Sequence, residues 1–128
     1  MFLLVVLSSG LTQAAADSMA FTVAIPQPGT HVLHVTFRCD GLKGELQDFK
    51  MPNWSPGYYG IGDYARNVSN FQADDGAGHA LPFEKTARNT WRVVTDNSRA
   101  IVLNYDVFGA TAFAANNYIG EDRAYLSP

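Results

Sequence analysis

From Leu33 to Phe37, and again from Ile101 to Val107, every second residue is apolar. Leu33, Val35 and Phe37 share one face, opposite His34, Thr36 and Arg38. Ile101, Leu103, Tyr105 and Val107 share another. A repeat of two is that of an extended chain whose side chains point alternately to opposite sides, so these runs read as half-buried β-strands. Phe21, Val23 and Ile25 repeat the pattern with Thr22 and Ala24 opposite, and Trp91 and Val93 do so within Asn89–Thr95. The β-branched and aromatic content of these runs suits a pleated surface packed on one side.

The punctuation between the runs agrees. Asp40-Gly41-Leu42-Lys43-Gly44, Asp74-Asp75-Gly76-Ala77-Gly78 and Asp96-Asn97-Ser98 are turn clusters of the sort that join hairpins. Short strands with such turns predict an all-β chain, an antiparallel β-sandwich. Only Gly62 to Asn70 offers helical character, one or two turns capped by Asp63, with Arg66 placed to pair with Asp63. The last segment, Phe113 to Pro128, reads as a sandwich cut inside its domain, incomplete at the C-terminal end; such a cut would expose an unpaired edge.

A length of 128 residues suits one domain, and 47% hydrophobic against 16% charged residues argues for a globular chain. The net charge is −3 and no basic run occurs, so nucleic-acid binding has no electrostatic footprint. Residues 1–16 read as a secretory signal. Phe2 to Leu7 form a short apolar core, and Ala14-Ala15-Ala16 gives a small-residue cleavage site. The apolar run is far shorter than the ~20 residues needed to span a bilayer, so no transmembrane segment is expected in the mature chain Asp17–Pro128. No Lys or Arg precedes the core, which places a start codon upstream of Met1 among the expectations. The competing reading is a buried N-terminal strand. The single cysteine, Cys39, has no internal disulfide partner and is expected as a small half-buried side chain; its role is open.

One segment fits neither strand nor helix. Met51 to Val68 carries Pro52, Pro56, Gly57, Gly60 and Gly62 together with Trp54, Tyr58, Tyr59 and Tyr64. Proline fixes φ and removes a backbone donor. Ser55-Pro56-Gly57-Tyr58 suits a type II turn, with proline at the second position and glycine at the third. Such an apolar loop must pack on something or bind something. Trp54, Tyr58, Tyr59 and Tyr64 are therefore candidate binding residues for a peptide or sugar, or a cover for the sandwich or a neighbouring domain. Pro56, Gly57, Asp63 and Arg66 are expected to shape the loop.

Chemistry-bearing patterns are scarce. No His-Glu-x-x-His helix signature and no Gly-x-Ser-x-Gly elbow occur. His31 and His34 stand three apart, which on a strand puts them on opposite faces, so they read as two sheet histidines rather than a metal pair. Asp74 and Asp75 read as a hairpin tip, because the further oxygen ligands of a calcium loop are missing. Asn53-Trp54-Ser55 and Asn67-Val68-Ser69 are glycosylation sequons, relevant only in a eukaryotic secretory pathway.

Met51-Pro52-Asn53-Trp54-Ser55-Pro56-Gly57-Tyr58-Tyr59, followed by Asp63-Tyr64-Ala65-Arg66-Asn67-Val68 and Phe71-Gln72-Ala73-Asp74, resembles the N-terminal domain of the glycyl aminopeptidase family of zinc metallopeptidases. The similarity extends over Thr30–Gly44, Lys85–Val93, Asn104–Val107 and Asp122–Tyr125, so it covers roughly Phe21 to Pro128. The resemblance implies an exported, periplasmic or secreted protein whose β-domain precedes a catalytic domain bearing His-Glu-x-x-His and zinc, and which removes N-terminal glycine or alanine. No catalytic or metal-binding residue carries over, because the matching segment is absent from this sequence. The implied partner is the catalytic domain of the same polypeptide, with peptide substrate met only indirectly. The chain alone is expected to be inactive. The region after Asn116 is a further candidate for cleft contacts. The rival expectation is a stand-alone secreted module that binds peptide or glycan through Trp54 to Tyr64.

Overall fold

A computed structural model describes residues 17–54, 59–111 and 117–126. The fold is all-β and antiparallel. Nine strands are described: β1 (Ser18–Ala24), β2 (Val32–Asp40), β3 (Leu46–Lys50), β4 (Val68–Asp74), β5 (Phe83–Ala87), β6 (Thr90–Val94), β7 (Ala100–Phe108), β8 (Tyr118–Ile119) and β9 (Ala124–Tyr125). They form a four-stranded sheet ordered β1-β2-β7-β4, a three-stranded sheet ordered β3-β6-β5, and the small β8-β9 ribbon. The sheets are not closed into a barrel, and the arrangement is sandwich-like. The four strands expected from the alternation are β1, β2, β6 and β7; the expected residues of β2, β6 and β7 face inward, whereas all seven residues of β1 are exposed and Ile25 lies beyond its end.

The inner faces meet as the period of two requires. Leu33, Val35, Phe37 and Cys39 of β2 and Ile101, Leu103 and Val107 of β7 are buried, as are Trp91 and Val93 of β6. Burying such a side chain stabilises the fold by about 1.5–3 kcal/mol. β2 and β7 run in continuous register from Val32↔Phe108 to Asp40↔Ala100. The outer face of this sheet is polar: Thr36 Oγ1 donates to Asn104 Oδ1 at 2.8 Å, and His34 Nδ1 lies 2.7 Å from Asp106 Oδ1.

β3, β4 and β5 are strands that the alternation does not reveal. In β4 the cause is a bulge. Ser69 pairs with Asp106 and Gln72 with Asn104, so two residues of β4 stand opposite one of β7. Asn70 takes the left-handed conformation (φ 51°) and donates from Nδ2 to Asp106 Oδ2 at 2.7 Å. The extra residue shifts the phase, so Phe71 turns into the core. There it stacks on Trp91 (5.2 Å between centroids) and meets Phe83 edge-on (4.8 Å).

The bulge also corrects the helical reading of Gly62–Asn70. Its three-residue step from Val68 to Phe71 imitates a helix, but the chain forms only a 3₁₀ turn, Tyr64–Asn67, before β4 begins. Asp63 stands at the N-cap without a side-chain cap bond. Its carboxylate lies 3.5 Å from Arg88 Nη1, so its partner is Arg88 rather than Arg66.

The turn clusters fall where expected, but all three cross between layers instead of joining hairpins. Gly41 and Gly44 (φ 85° and 92°) lie between β2 and β3, in different sheets. Asp96 and Asn97 (φ 48° and 61°) form a type I′ turn closed by Ser98 N–H to the Thr95 carbonyl at 2.8 Å, and carry β6 to β7. At Asp74–Gly78 the carboxylates bind the turn itself. Asp74 Oδ1 accepts from Gly76 N–H at 2.8 Å, and Asp75 Oδ1 accepts from Ala77 and His79 N–H at 2.9 and 3.0 Å. His31 is not a strand residue. It follows the 3₁₀ turn Pro28–Thr30 in the left-handed region (φ 59°), and its Nδ1 bonds the Ile119 carbonyl at 2.5 Å.

Cys39 is buried. Burial first, then the charges of Asp40 and Asp17, push its thiol above the ordinary range, the opposite of an activated nucleophile.

Candidate functional site

The aromatic segment is the link from β3 in one sheet to β4 in the other. Its base is tied to the turn between β5 and β6. Met51 N–H donates to the Asn89 carbonyl at 2.9 Å, and Asn89 Nδ2 donates to the Met51 carbonyl at 2.8 Å. Gly62 N–H then closes the neck by donating to the Asn53 carbonyl at 2.7 Å. Two ends held together around an excursion of this length make an Ω-type loop. The backbone at Gly62 lies close under the Tyr64 ring: a Cβ there would meet the ring at 2.5 Å, so the ring would have to shift. Ala65, 1% exposed, plugs the following turn into the domain.

Among the described residues of the loop, three large apolar side chains are left exposed. Trp54 is 47% exposed, Tyr59 91% and Ile61 79%. Tyr64 is half-buried and adjoins the neck. Pro56, Gly57 and Tyr58 lie outside the described residues. Asn53, Ile61, Gly62, Asp63, Tyr64, Arg88 and Asn89 line a shallow hollow at the neck. Arg88 and Asn89, which hold the loop and its hollow, were not singled out from the sequence; a two-residue turn carries no signal that it anchors a distant loop. Of the candidates, Trp54, Tyr59 and Tyr64 therefore sit on one loop, whose described residues combine exposed apolar side chains with a hydrogen-bonded neck. Such a surface suits apolar and aromatic contact, and among its described residues no nucleophile–base pair is formed.

The other titratable clusters belong to turns and strand faces. The His34–Asp106–Asn70 group lies on the outer face of the large sheet, where the Asn70 amide first, and then His34, hold the Asp106 carboxyl below its usual range. Asp48 of β3 is held low by the cross-strand Arg92 guanidinium, 2.7 Å away. Among the described residues, no three His, Cys, Asp or Glu side chains converge in a way that could hold a metal ion. Also among them, no helix is long and apolar enough to cross a membrane.

Comparison with known proteins bears on the whole chain. Residues 20–128 match the family model described as the peptidase M61 N-terminal domain. Comparison with curated proteins finds no match. Among solved structures, the crystal structure of an aminopeptidase N family protein from Idiomarina loihiensis superposes with a TM-score of 0.72 at 20% identity, covering 80% of this chain and 17% of that one. At that identity the likeness concerns the fold, and this chain spans about a sixth of the length of the protein it matches. With the match running through β1 to β9 and the aromatic loop, the chain belongs to the peptidase M61 N-terminal domain family, the N-terminal domain of a family of zinc metallopeptidases.

Proposed function

We propose that the chain is the non-catalytic N-terminal domain of an exported glycyl aminopeptidase-like zinc peptidase, and that it scaffolds the catalytic domain of the same polypeptide. The observation that carries this reading is the exposed apolar side chains beside the neck of the aromatic loop. Trp54, Tyr59 and Ile61 place apolar side chains in water, on a neck fixed by Met51–Asn89 and Gly62–Asn53 hydrogen bonds. Apolar side chains held in place and left in water mark an interaction site. Zinc and the general base belong, in this reading, to the catalytic domain. Among the described residues no His, Cys, Asp or Glu cluster fits a zinc site, and in this reading their part is to hold and wall the cleft, meeting peptide substrate only at its rim. Residues after Asn116 remain candidates for that rim. Export to the periplasm or medium follows from reading residues 1–16 as a signal.

The test is to express the intact reading frame and delete residues 17–128. Loss of thermal stability together with loss of glycine release is expected. A deleted protein that melts and turns over like its parent would sink the proposal.

A stand-alone binding module is the second reading, favoured by the exposure of Trp54 and Tyr59, which suits stacking on a sugar or peptide. It requires saturable quenching of Trp54 by an oligosaccharide or peptide in the 128-residue chain itself. Quenching abolished by Tyr59→Ala would favour it over the scaffold.

A further inference from the structure

The two layers are unequal. β3 faces β2 through Phe49 against Phe37 (6.0 Å between centroids), and β5 faces β4 through Phe83 against Phe71 (4.8 Å). β6 lies between β3 and β5, as β7 lies between β2 and β4. None of the strands of these two sheets is left to face β1, and the β8–β9 ribbon packs through Ile119 with Leu33 and Val35 of β2 and Val107 of β7 instead. Its side chains register the gap. Met19, Phe21 and Val23 pair with Cys39, Phe37 and Val35, whose side chains are buried, so all three project on the core side of the sheet. They nevertheless remain 73%, 66% and 45% exposed, although Phe21 stacks on Phe37 at 4.4 Å.

β1 is also the strand least equipped to stay uncovered. The other sheet edges carry charges or a bulge: Asp48 and Lys50 on β3, Glu84 and Lys85 on β5, and Asp74 with the Asn70 bulge on β4. β1 has seven residues without charge, proline or bulge, which are the devices that protect an edge left in water. Beside its bare face, β3 has a free edge, being the end strand of its sheet.

We infer that a strand from the remaining polypeptide pairs with the free edge of β3 and lies across Met19, Phe21 and Val23, so that four strands face four. The inference rests on reading the chain as part of a longer peptidase. The placement of the last described residues supports it. The Ile119 carbonyl binds His31, Ile119 packs with Ile25, and Glu121 reaches Gly29, its Oε1 3.6 Å from where a Cβ would stand. The chain thus runs against the β1–β2 connection, beside the end of the uncovered face. The occupant alternates, with apolar residues toward β1 and polar residues continuing the Asp48–Arg92 surface.

A second copy fits less well. Pairing β1 with β1 would widen the sheet and leave the core-side face bare. The area on three side chains is on the order of a few hundred Å², below the ~1,200 Å² that stable interfaces bury. A tethered strand needs no such area, because linkage supplies its local concentration.

The test compares amide exchange in the 128-residue chain and in the protein from the intact reading frame. In the longer protein, the Leu46–Lys50 amides that do not bond β6 are expected to exchange at least about 100-fold more slowly. Phe21→Asp is expected to lower its Tm by about 8 °C, and that of the 128-residue chain by less than half as much. Equal exchange of the β3 amides in the two proteins, or a longer Phe21→Asp protein that melts with its parent, overturns the inference. A dimer of the short chain that protects β1 equally well overturns it in favour of a second copy. Glycine release, read on the same samples, separates this inference from the proposed function. Activity with an open β3 edge removes only the strand. Protection without activity supports the strand and removes the peptidase reading. A stop codon directly after Pro128 overturns both.

Discussion

Phe71 is the side chain on which the packing argument depends most. It enters the core because Asn70 forms a bulge, and it touches a ring on each of three other strands: Phe83 of β5 at 4.8 Å, Trp91 of β6 at 5.2 Å and Tyr105 of β7 at 6.3 Å. Truncating a core phenylalanine to alanine costs about 3–5 kcal/mol. Phe71 is only partly buried, which places it at the lower end. Loss of its aromatic pairings, about 0.5–1.5 kcal/mol for each pair, keeps it from falling below that end. Phe71→Ala is therefore expected to cost about 3 kcal/mol, a fall in Tm of about 12 °C for a domain of this size. Phe71→Leu keeps most of the volume and should cost about 1.5 kcal/mol. Urea and thermal melts followed by circular dichroism read both values. The chain has two tryptophans, so Trp54→Phe as background leaves Trp91 as the reporter. Its native emission should shift to the red in Phe71→Ala, as the stacked ring is replaced by water. A loss below about 1 kcal/mol, or an unshifted Trp91 band, would refute the inward placement of Phe71 and with it the bulge-driven change of phase.

Three further outcomes are expected. Hydrogen bonds from the His79 side chain first, and then from backbone N–H groups, hold Asp75 at about 2, and its carboxylate in turn raises His79. The aspartate contribution is thus complete above its ordinary 3.8 and lost as pH falls through about 2, while the histidine contribution is present below 6.5 and lost as pH rises through its raised value. An NMR titration should find that Asp75→Asn returns His79 to the ordinary histidine range, and an unmoved midpoint would count against the pairing. Asn97 sits in the left-handed region, so Asn97→Gly should hold or raise the urea midpoint while Asn97→Val lowers stability by at least about 1 kcal/mol; equal midpoints would contradict the turn assignment. Tyr59→Ala should leave the Tm of the 128-residue chain within about 2 °C of its parent, because the ring is 91% exposed in this domain. A larger drop would mean that the ring is part of the core.

The alternation of Leu33–Phe37 and Ile101–Val107 was legible because both runs lie in the middle of a sheet, where one face is dry and the other polar. β4 was illegible because one residue, Asn70, breaks the repeat, and a broken repeat of two resembles a helical step. β5 was illegible for a different reason. It is an edge strand whose inner residues are Phe83 and Lys85, the latter lying with its ammonium 4.6 Å over the Trp91 ring, so a charged residue covers the core where a pattern of apolar residues was sought. The aromatic loop was visible as a loop from its prolines and glycines. Its attachment through Arg88 and Asn89 was not, because backbone hydrogen bonds between distant segments depend on the sheet that brings them together. β1 deceives in the other direction. Its alternation reads as half-buried, and its face is bare in this chain.

The links that carry β2 to β3, β3 to β4, β4 to β5 and β6 to β7 each pass from one layer to the other. The layers are therefore interleaved along the chain, and neither can be assembled before the other is threaded. Among the described residues the β1–β2, β5–β6 and β8–β9 pairs are available as early local structure; the central pair β2–β7 must wait for about sixty residues of intervening chain to be brought round. Folding of such a topology belongs to the millisecond-to-second range rather than the microsecond range. During that interval β1, uncharged and unguarded, is the strand most exposed to a wrong neighbour. The yield of native protein will accordingly depend on how soon the strand finds its proper cover.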